Sequence, residues 1–244
     1  MPIADERHPI LADSDGDLLA PGLLHELRQP LMAIHAATEL LERERGPLDG
    51  DGAWRMLKAQ VVRLVEIVRG YEDLLRPGRV SPEPFHVEPV ISRAVDLLAH
   101  RVRPLASRFV LHNGGSHAGF GAPGALVHAA TNLLANALDA VEATRGDGRI
   151  AVRVLGRLPR AVEVRVSDEG SGIPAQLRAR IFEPRFTTKA AGKGSGLGLH
   201  IARRLMSRFG GSVYLVDERD PARLPWAATE FCIEVPAAPA EVAR

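Results

Sequence analysis

Apolar residues recur at helical spacing through the first third of the chain, and short alternating runs interleave with helical ones after it. Leu24, Leu27, Leu31, Ile34 and Leu41 follow in steps of three and four, with Thr38 in the remaining slot, which is a heptad seam. The pattern predicts a helix from about residue 17 to 45, capped by Ser14, Asp15 or Asp17 and ended by Gly46-Pro47. After a turn at 49–52, Leu57, Val61, Leu64, Val68, Tyr71 and Leu75 predict a second helix over 53–76. Two helices of this length cannot enclose their own apolar faces. Two copies of the hairpin can, as a four-helix bundle, so a homodimer is expected; docking of the hairpin onto the rest of the chain is the alternative.

Residues 77–89 hold Pro77, Pro82, Pro84 and Pro89 and read as a linker. Beyond them a helix is expected over about 90–103, with Ile91, Val95 and Leu98 inward, then a short strand over 108–112 and a helix over 124–143. Residues 149–155 and 161–166 alternate as paired antiparallel strands around a turn at 156–160, and 213–216 and 230–235 read as closing strands. The expected class is α+β. A helical hairpin at 17–76 precedes an α/β sandwich at 90–236 with one mixed sheet and helices on one face; 1–16 and 237–244 are tails.

With 25% charged and 45% hydrophobic residues, the 244-residue chain is that of a globular protein of two modest domains. A net charge of +1 offers no broad handle for nucleic acid. Cys232 is the sole cysteine, which excludes an intrachain disulfide or cysteine metal site, and its apolar surroundings predict a buried thiol. No stretch resembles a secretory signal or approaches the roughly 20 apolar residues of a membrane span, so a cytoplasmic protein without membrane insertion is expected.

The candidate chemistry falls in two places. Asn132 and Asn136, four residues apart, stack one turn above each other on a helix; alone they are either surface polars or part of a pocket. Asp168 closes a strand and is followed by Gly170 and Gly172. Its carboxylate can accept a hydrogen bond from an exocyclic amine such as that of adenine, while the glycines let backbone approach a base. Gly192, Gly194, Gly196 and Gly198 alternate before a helix beginning near Leu197, whose N-terminus suits phosphate; a plain hinge is the alternative. Lys193 adds a mobile charge there, and Thr187, Thr188 and Lys189 can reach phosphates if their loop closes. Asn136 is suited to a divalent cation bridging phosphates, because an amide oxygen is a hard ligand that adds no charge. Phe182 and Phe186 read as packing anchors. A Rossmann reading fails because the glycine loop does not follow the first strand of a βαβ unit, and a P-loop reading fails for want of the Lys-Ser/Thr pair.

The second place is His25-Glu26-Leu27-Arg28-Gln29-Pro30-Leu31. His25 lies off the apolar seam, Glu26 can polarise the imidazole and leave its other nitrogen nucleophilic, and Gln29 is one turn away. Pro30 removes a helix hydrogen bond and softens the helix beside the histidine. His25 and His35 have no metal-ligand spacing.

At these residues the chain resembles the bacterial sensor histidine kinases from about residue 20 to 236. His25–Leu31 is similar to the family's H-box and 132–137 to its N-box; 168–173 and 194–198 are similar to its Gly boxes and Phe182-Glu183-Pro184 to its F-box. The resemblance implies a dimerising phosphotransfer hairpin followed by a Bergerat-type (GHKL) ATP-binding domain. It implies Mg²⁺ and ATP as cofactors, His25 as phosphoacceptor, Glu26 as its base or orienter, and Asn136 on Mg²⁺. It also implies Asn132 at the phosphates, Asp168 on adenine and the second Gly box as a lid, with an aspartate of a response regulator receiver domain as eventual acceptor. The chain departs from the family at two places. Gln29 stands where Thr or Asn is common at a position tied to dephosphorylating the regulator, which puts phosphatase activity in doubt, and Arg185 replaces a common aromatic. The sensor and transmembrane segments usual in the family are not in the sequence, so a signal arrives from a separate sensor protein, or the chain is part of a longer one. A GHKL-type ATPase acting as a conformational machine, or a non-catalytic scaffold or phosphatase, are the competing functions.

Overall fold

The computed structural model describes residues 81–113, 115–144, 147–157, 161–189 and 196–239. It also describes the helical positions Leu27, Leu31, Met32, Ile34, Trp54, Leu57, Val61 and Leu64. All of the hairpin seam residues among these are helical, as their spacing predicts.

From residue 83 onward the order is β1 (Glu83–His86), α1 (Val87–Leu97), α2 (Ala99–Val102), a 3₁₀ turn (Arg103–Arg108), β2 (Phe109–His112), β3 (Ala118–Gly121) and α3 (Pro123–Glu142). Then come β4 (Ile150–Arg157), β5 (Ala161–Asp168), a 3₁₀ turn (Ala175–Leu177), α4 (Gly198–Arg208), β6 (Ser212–Leu215) and β7 (Thr229–Pro236). Strands β2-β4-β5-β7-β6 form one mixed sheet in which only the β2–β4 pair is parallel.

Residues 83–89, expected as the end of a linker, instead form β1 and the first turn of α1. Pro84 is tolerated because β1 pairs only with β3 in a two-stranded sheet, and Pro89 because first-turn N–H groups have no helical partner. Glu88 fastens this start: its carboxylate accepts the His117 amide at 3.0 and 3.1 Å and meets the His117 ring at 2.5 Å. The helix expected over 90–103 therefore begins at Val87, and it breaks at Leu98 ahead of α2 and the Pro104-bearing turn.

Helix α3 is the central beam. Ala129, Leu133, Leu134, Ala137 and Leu138 are buried, and the helix touches α1, α4, β5 and β7. Its partners across the sheet include Val162, Val164, Val166 and Ile233, in one apolar core with Ile91, Ile201 and Leu205. Cys232 is buried as expected, and burial pushes its thiol up to about 12.

The helices cover one face of the sheet, as expected, but the opposite face is not a plain polar surface. Glu163 and Arg165 alternate outward from β5, yet both are buried beneath the 217–228 connection. Arg165 donates to Glu163 at 2.8 Å, to Glu230 at 3.1 Å and to both oxygens of Asp220 at 3.1 Å. Glu230 also takes Arg153 at 3.0 Å, the Ser167 hydroxyl at 2.7 Å and the Leu224 amide at 3.1 Å. Each buried charge is thus opposed and hydrogen-bonded, the condition under which such groups are tolerated. Arg165→Met leaves Glu163 to Arg157, at 2.6 Å, and Glu230 to Arg153, at 3.0 Å, each one counter-ion short, and urea denaturation should show a loss of about 3 kcal/mol. An unchanged midpoint would mean that the far face contributes nothing to the fold.

Candidate functional site

Asp168 is the last residue of β5, flanked by Ile150 on β4 and Thr229 on β7. Only 3% of it is exposed. Burial pushes its carboxyl up to about 6, against the opposing effect of hydrogen bonds from the Gly170 amide, at 2.9 Å, and from Thr229. Thr229 is a site residue that the sequence alone hides, because it becomes visible only through the β5–β7 register.

The loop after Asp168 lies directly on α3. A Cβ at Gly170 would sit 2.6 Å from Ala140 Cβ and 2.7 Å from its carbonyl carbon, so glycine is required for the approach. Gly172 takes a φ of +71°, which glycine adopts without strain. At the far end of the polar edge, a Cβ on Gly198 would run into the Asn132 side-chain oxygen. Asn132 therefore abuts the first turn of α4, whose N-cap residue Leu197 supplies no side-chain cap. The Leu197 side chain itself is buried in the core, and its carbonyl accepts the Ile201 amide at 2.8 Å. Gly196, at φ +65°, closes against the Phe186 carbonyl.

One turn along α3 from Asn132, the Asn136 side-chain oxygen accepts Lys189 Nζ at 3.2 Å. The same ammonium pairs with Asp139, whose other carboxylate oxygen takes Arg101 at 2.7 Å. Asp139 is three residues beyond Asn136, and that spacing was the available signal for it; Arg101 lies 38 residues away and gave none. Burial pushes the Asp139 carboxyl up, but Lys189 and Arg101 outweigh this and hold it below the usual carboxylate range.

The Thr187 hydroxyl accepts the Lys189 amide at 3.1 Å, and both Thr187 and Thr188 are exposed. Phe182 and Phe186 anchor this segment as expected. Phe182 packs edge-on to Phe231 at 6.2 Å, and Phe186 lies against the core beneath the Arg180 guanidinium at 4.8 Å. Arg185 is exposed, at a positive φ of 65°. One edge of α3 thus carries Asn132, Asn136 and Ala140, met by Gly198 at Asn132 and by Gly170, in the turn from Asp168, at Ala140; Gly172 lies nearest Ala228 and Gly196 nearest Arg185 and Phe186. His25, Glu26, Gln29, Lys193 and Gly194 lie outside the described residues.

A mixed sheet whose central helix turns a polar edge toward glycine-joined loops is the architecture of one class of ATPase, distinct from the P-loop and Rossmann folds. Residues 121–239 match the family described as the histidine kinase-, DNA gyrase B- and HSP90-like ATPase. The chain belongs to that family, and its ATPase domain is closely related to those of bacterial sensor histidine kinases. It is 33% identical over 231 residues to the two-component sensor PprA of Pseudomonas aeruginosa, covering 86% of this chain and 24% of PprA. It is 31% identical to a solved mycobacterial sensor histidine kinase, MprB, with a TM-score of 0.50, covering 65% of this chain and 99% of that one. The fold also matches histidine kinase ThkA solved in complex with the response regulator protein TrrA, at 20% identity and a TM-score of 0.52, over 90% of this chain and 61% of that one. The chain spans less than half the length of PprA and of several other curated sensor kinases.

The buried carboxyl of Asp168 makes a signed prediction. The proton is lost near 3.8 in the unfolded chain but near 6 in the native one, so stability falls as pH rises between these values. The ionised group then costs about 3 kcal/mol above pH 6. Asp168→Asn removes that cost, and its stability advantage over the wild type should grow as pH rises from 4 to 7 in urea denaturation. A difference that does not change with pH would contradict the burial effect.

Proposed function

We propose that this chain is a protein-histidine kinase that uses ATP and Mg²⁺ to phosphorylate His25 and passes the phosphoryl group to an aspartate of a response regulator. The observation that carries the reading is the shared edge of α3. Asn132 meets the start of α4, Asn136 faces a cation, and the loop from Asp168 folds onto the same helix at Ala140. Adenine would give its amino hydrogen to the Asp168 carboxylate, with Gly170 and Gly172 admitting the ring edge. The N–H groups of α4's first turn would face the phosphates beside Asn132. Thr187, Thr188, Lys193 and the glycines 194, 196 and 198 would close over them.

Asn136 fits a hard divalent ion, since its oxygen already accepts from a cation in this structure. Mg²⁺ bound there would neutralise phosphate charge, which is most of what phosphoryl transfer requires of a protein. Glu26 would orient the His25 imidazole and hold its proton on one nitrogen, leaving the other free for in-line attack. Leu27, two residues on, is half-buried against the core cluster, which supports a histidine within reach of the catalytic part.

The hairpin at 17–76 would dimerise as a four-helix bundle. Leu31, Met32, Trp54 and Val61 are 53%, 66%, 61% and 45% exposed on a single chain, and this apolar surface supports a second copy as its cover. A receiver domain would dock beside that bundle. Gln29 would hold a hydrolytic water less well than a shorter amide, so weak phosphatase activity is part of the reading, and the signal would come through a separate sensor protein or further domain. Among the described residues, no helix is long and apolar enough to cross a membrane.

Incubation with γ-labelled ATP tests the proposal: wild type should form an acid-labile phosphoprotein, and His25→Ala should lose all label while retaining nucleotide affinity within about twofold. Label on the alanine variant would mean another acceptor, and free phosphate without any phosphoprotein would mean a conformational ATPase.

A further inference from the structure

Lys189 occupies an unusual place for a loop lysine. Its ammonium donates to the Asn136 oxygen at 3.2 Å and pairs with the Asp139 carboxylate, which puts a positive charge where the nucleotide's cation is expected. The surrounding charges are balanced in a particular way. Asp139 Oδ1 is taken by Arg101 at 2.7 Å, and Arg101 is itself matched by Glu142 at 2.8 Å. Arg101 and Glu142 cancel, so withdrawing Lys189 leaves one uncompensated negative charge on Asp139 Oδ2, beside an amide oxygen one turn of helix away. Two hard oxygens and a net charge of minus one suit a divalent ion that takes its remaining ligands from phosphate and water.

We propose that Asn136 and Asp139 together form the seat of the divalent cation, and that Lys189 plugs this seat until the cation arrives with nucleotide. The inference rests on the reading of the site as a Mg²⁺-nucleotide pocket and adds to it a second protein ligand and an exchange step. Lys189 is free to make that exchange: its side chain is about one-third exposed, and a partly solvated ion pair is weak enough to yield. The Phe186 anchor stays in the core while the exposed turn at Thr187 carries the displaced ammonium out of the seat into solvent. Arrival of the cation thereby shifts the 187–189 segment, and Arg101 keeps the carboxylate aimed throughout.

Calorimetric titration of ADP, with Mg²⁺ or with EDTA, reads the exchange as the ratio of the two affinities. Lys189→Met should weaken Mg²⁺-free binding, because the stand-in charge is gone, and leave Mg²⁺-bound affinity equal or tighter, raising the ratio about tenfold. Asp139→Asn should lower the ratio at least fivefold. If Lys189→Met weakens both conditions equally, Lys189 is only a phosphate ligand and the plug is overturned. A wild-type ratio in Asp139→Asn overturns the second ligand. Absence of ADP binding by the wild type in both conditions would instead remove the nucleotide reading, and this inference with it.

Discussion

How closely loop backbone can approach α3 decides the rest of the structure. The helix is buried on most of its circumference by α1, α4 and the sheet, which leaves one polar edge. Gly170 lets the loop from Asp168 touch that edge at Ala140, and Gly198 lets the start of α4 touch it at Asn132. A methyl group at either point would push apart elements that are otherwise fixed in the core. Core packing and site geometry are therefore one constraint: the contacts that bury Leu133, Leu134 and Leu138 also set the spacing of the polar groups on the opposite edge.

Buried charge is handled in two different ways on the two sides of the sheet. Glu163, Arg165 and Glu230 satisfy one another beneath the 217–228 connection, so their burial supports the fold. Asp168 has an amide and a hydroxyl as its described partners, neither of them charged, and its carboxyl titrates near 6. A cost of that kind without structural return fits a group kept for a ligand, as pKa perturbation in sites commonly does. Asp139 is the intermediate case: its burial is offset by two cations, Lys189 and Arg101.

Much of this was legible in the residues because the informative patterns are local. The amide spacing on α3, the strand periodicity of β4, β5 and β7, and the glycines at 170 and 198 all depend on neighbours within a few positions. The four-residue strands β1 and β3 were not legible: the first carries a proline and the second two glycines, and they are held by pairing with each other and by the Ala118–Ala238 hydrogen bond, at 2.9 Å, from just past the end of β7. The burial of Glu163 and Arg165 had no local signal, since nothing near them in sequence says that Asp220 and its neighbours fold over them. Thr229 and Arg101 reach the site through sheet register and tertiary packing, and those are properties of the assembled fold.

Base selectivity tests the central claim most directly. Asp168 can accept a hydrogen from the adenine amino group, whereas guanine places a carbonyl oxygen at that position, against a buried carboxylate. Calorimetry with ADP and GDP in the presence of Mg²⁺ should show ADP bound at micromolar levels and GDP at least tenfold more weakly. Equal affinity for the two, or no heat from either, would contradict a nucleotide held between Asp168 and the polar edge of α3.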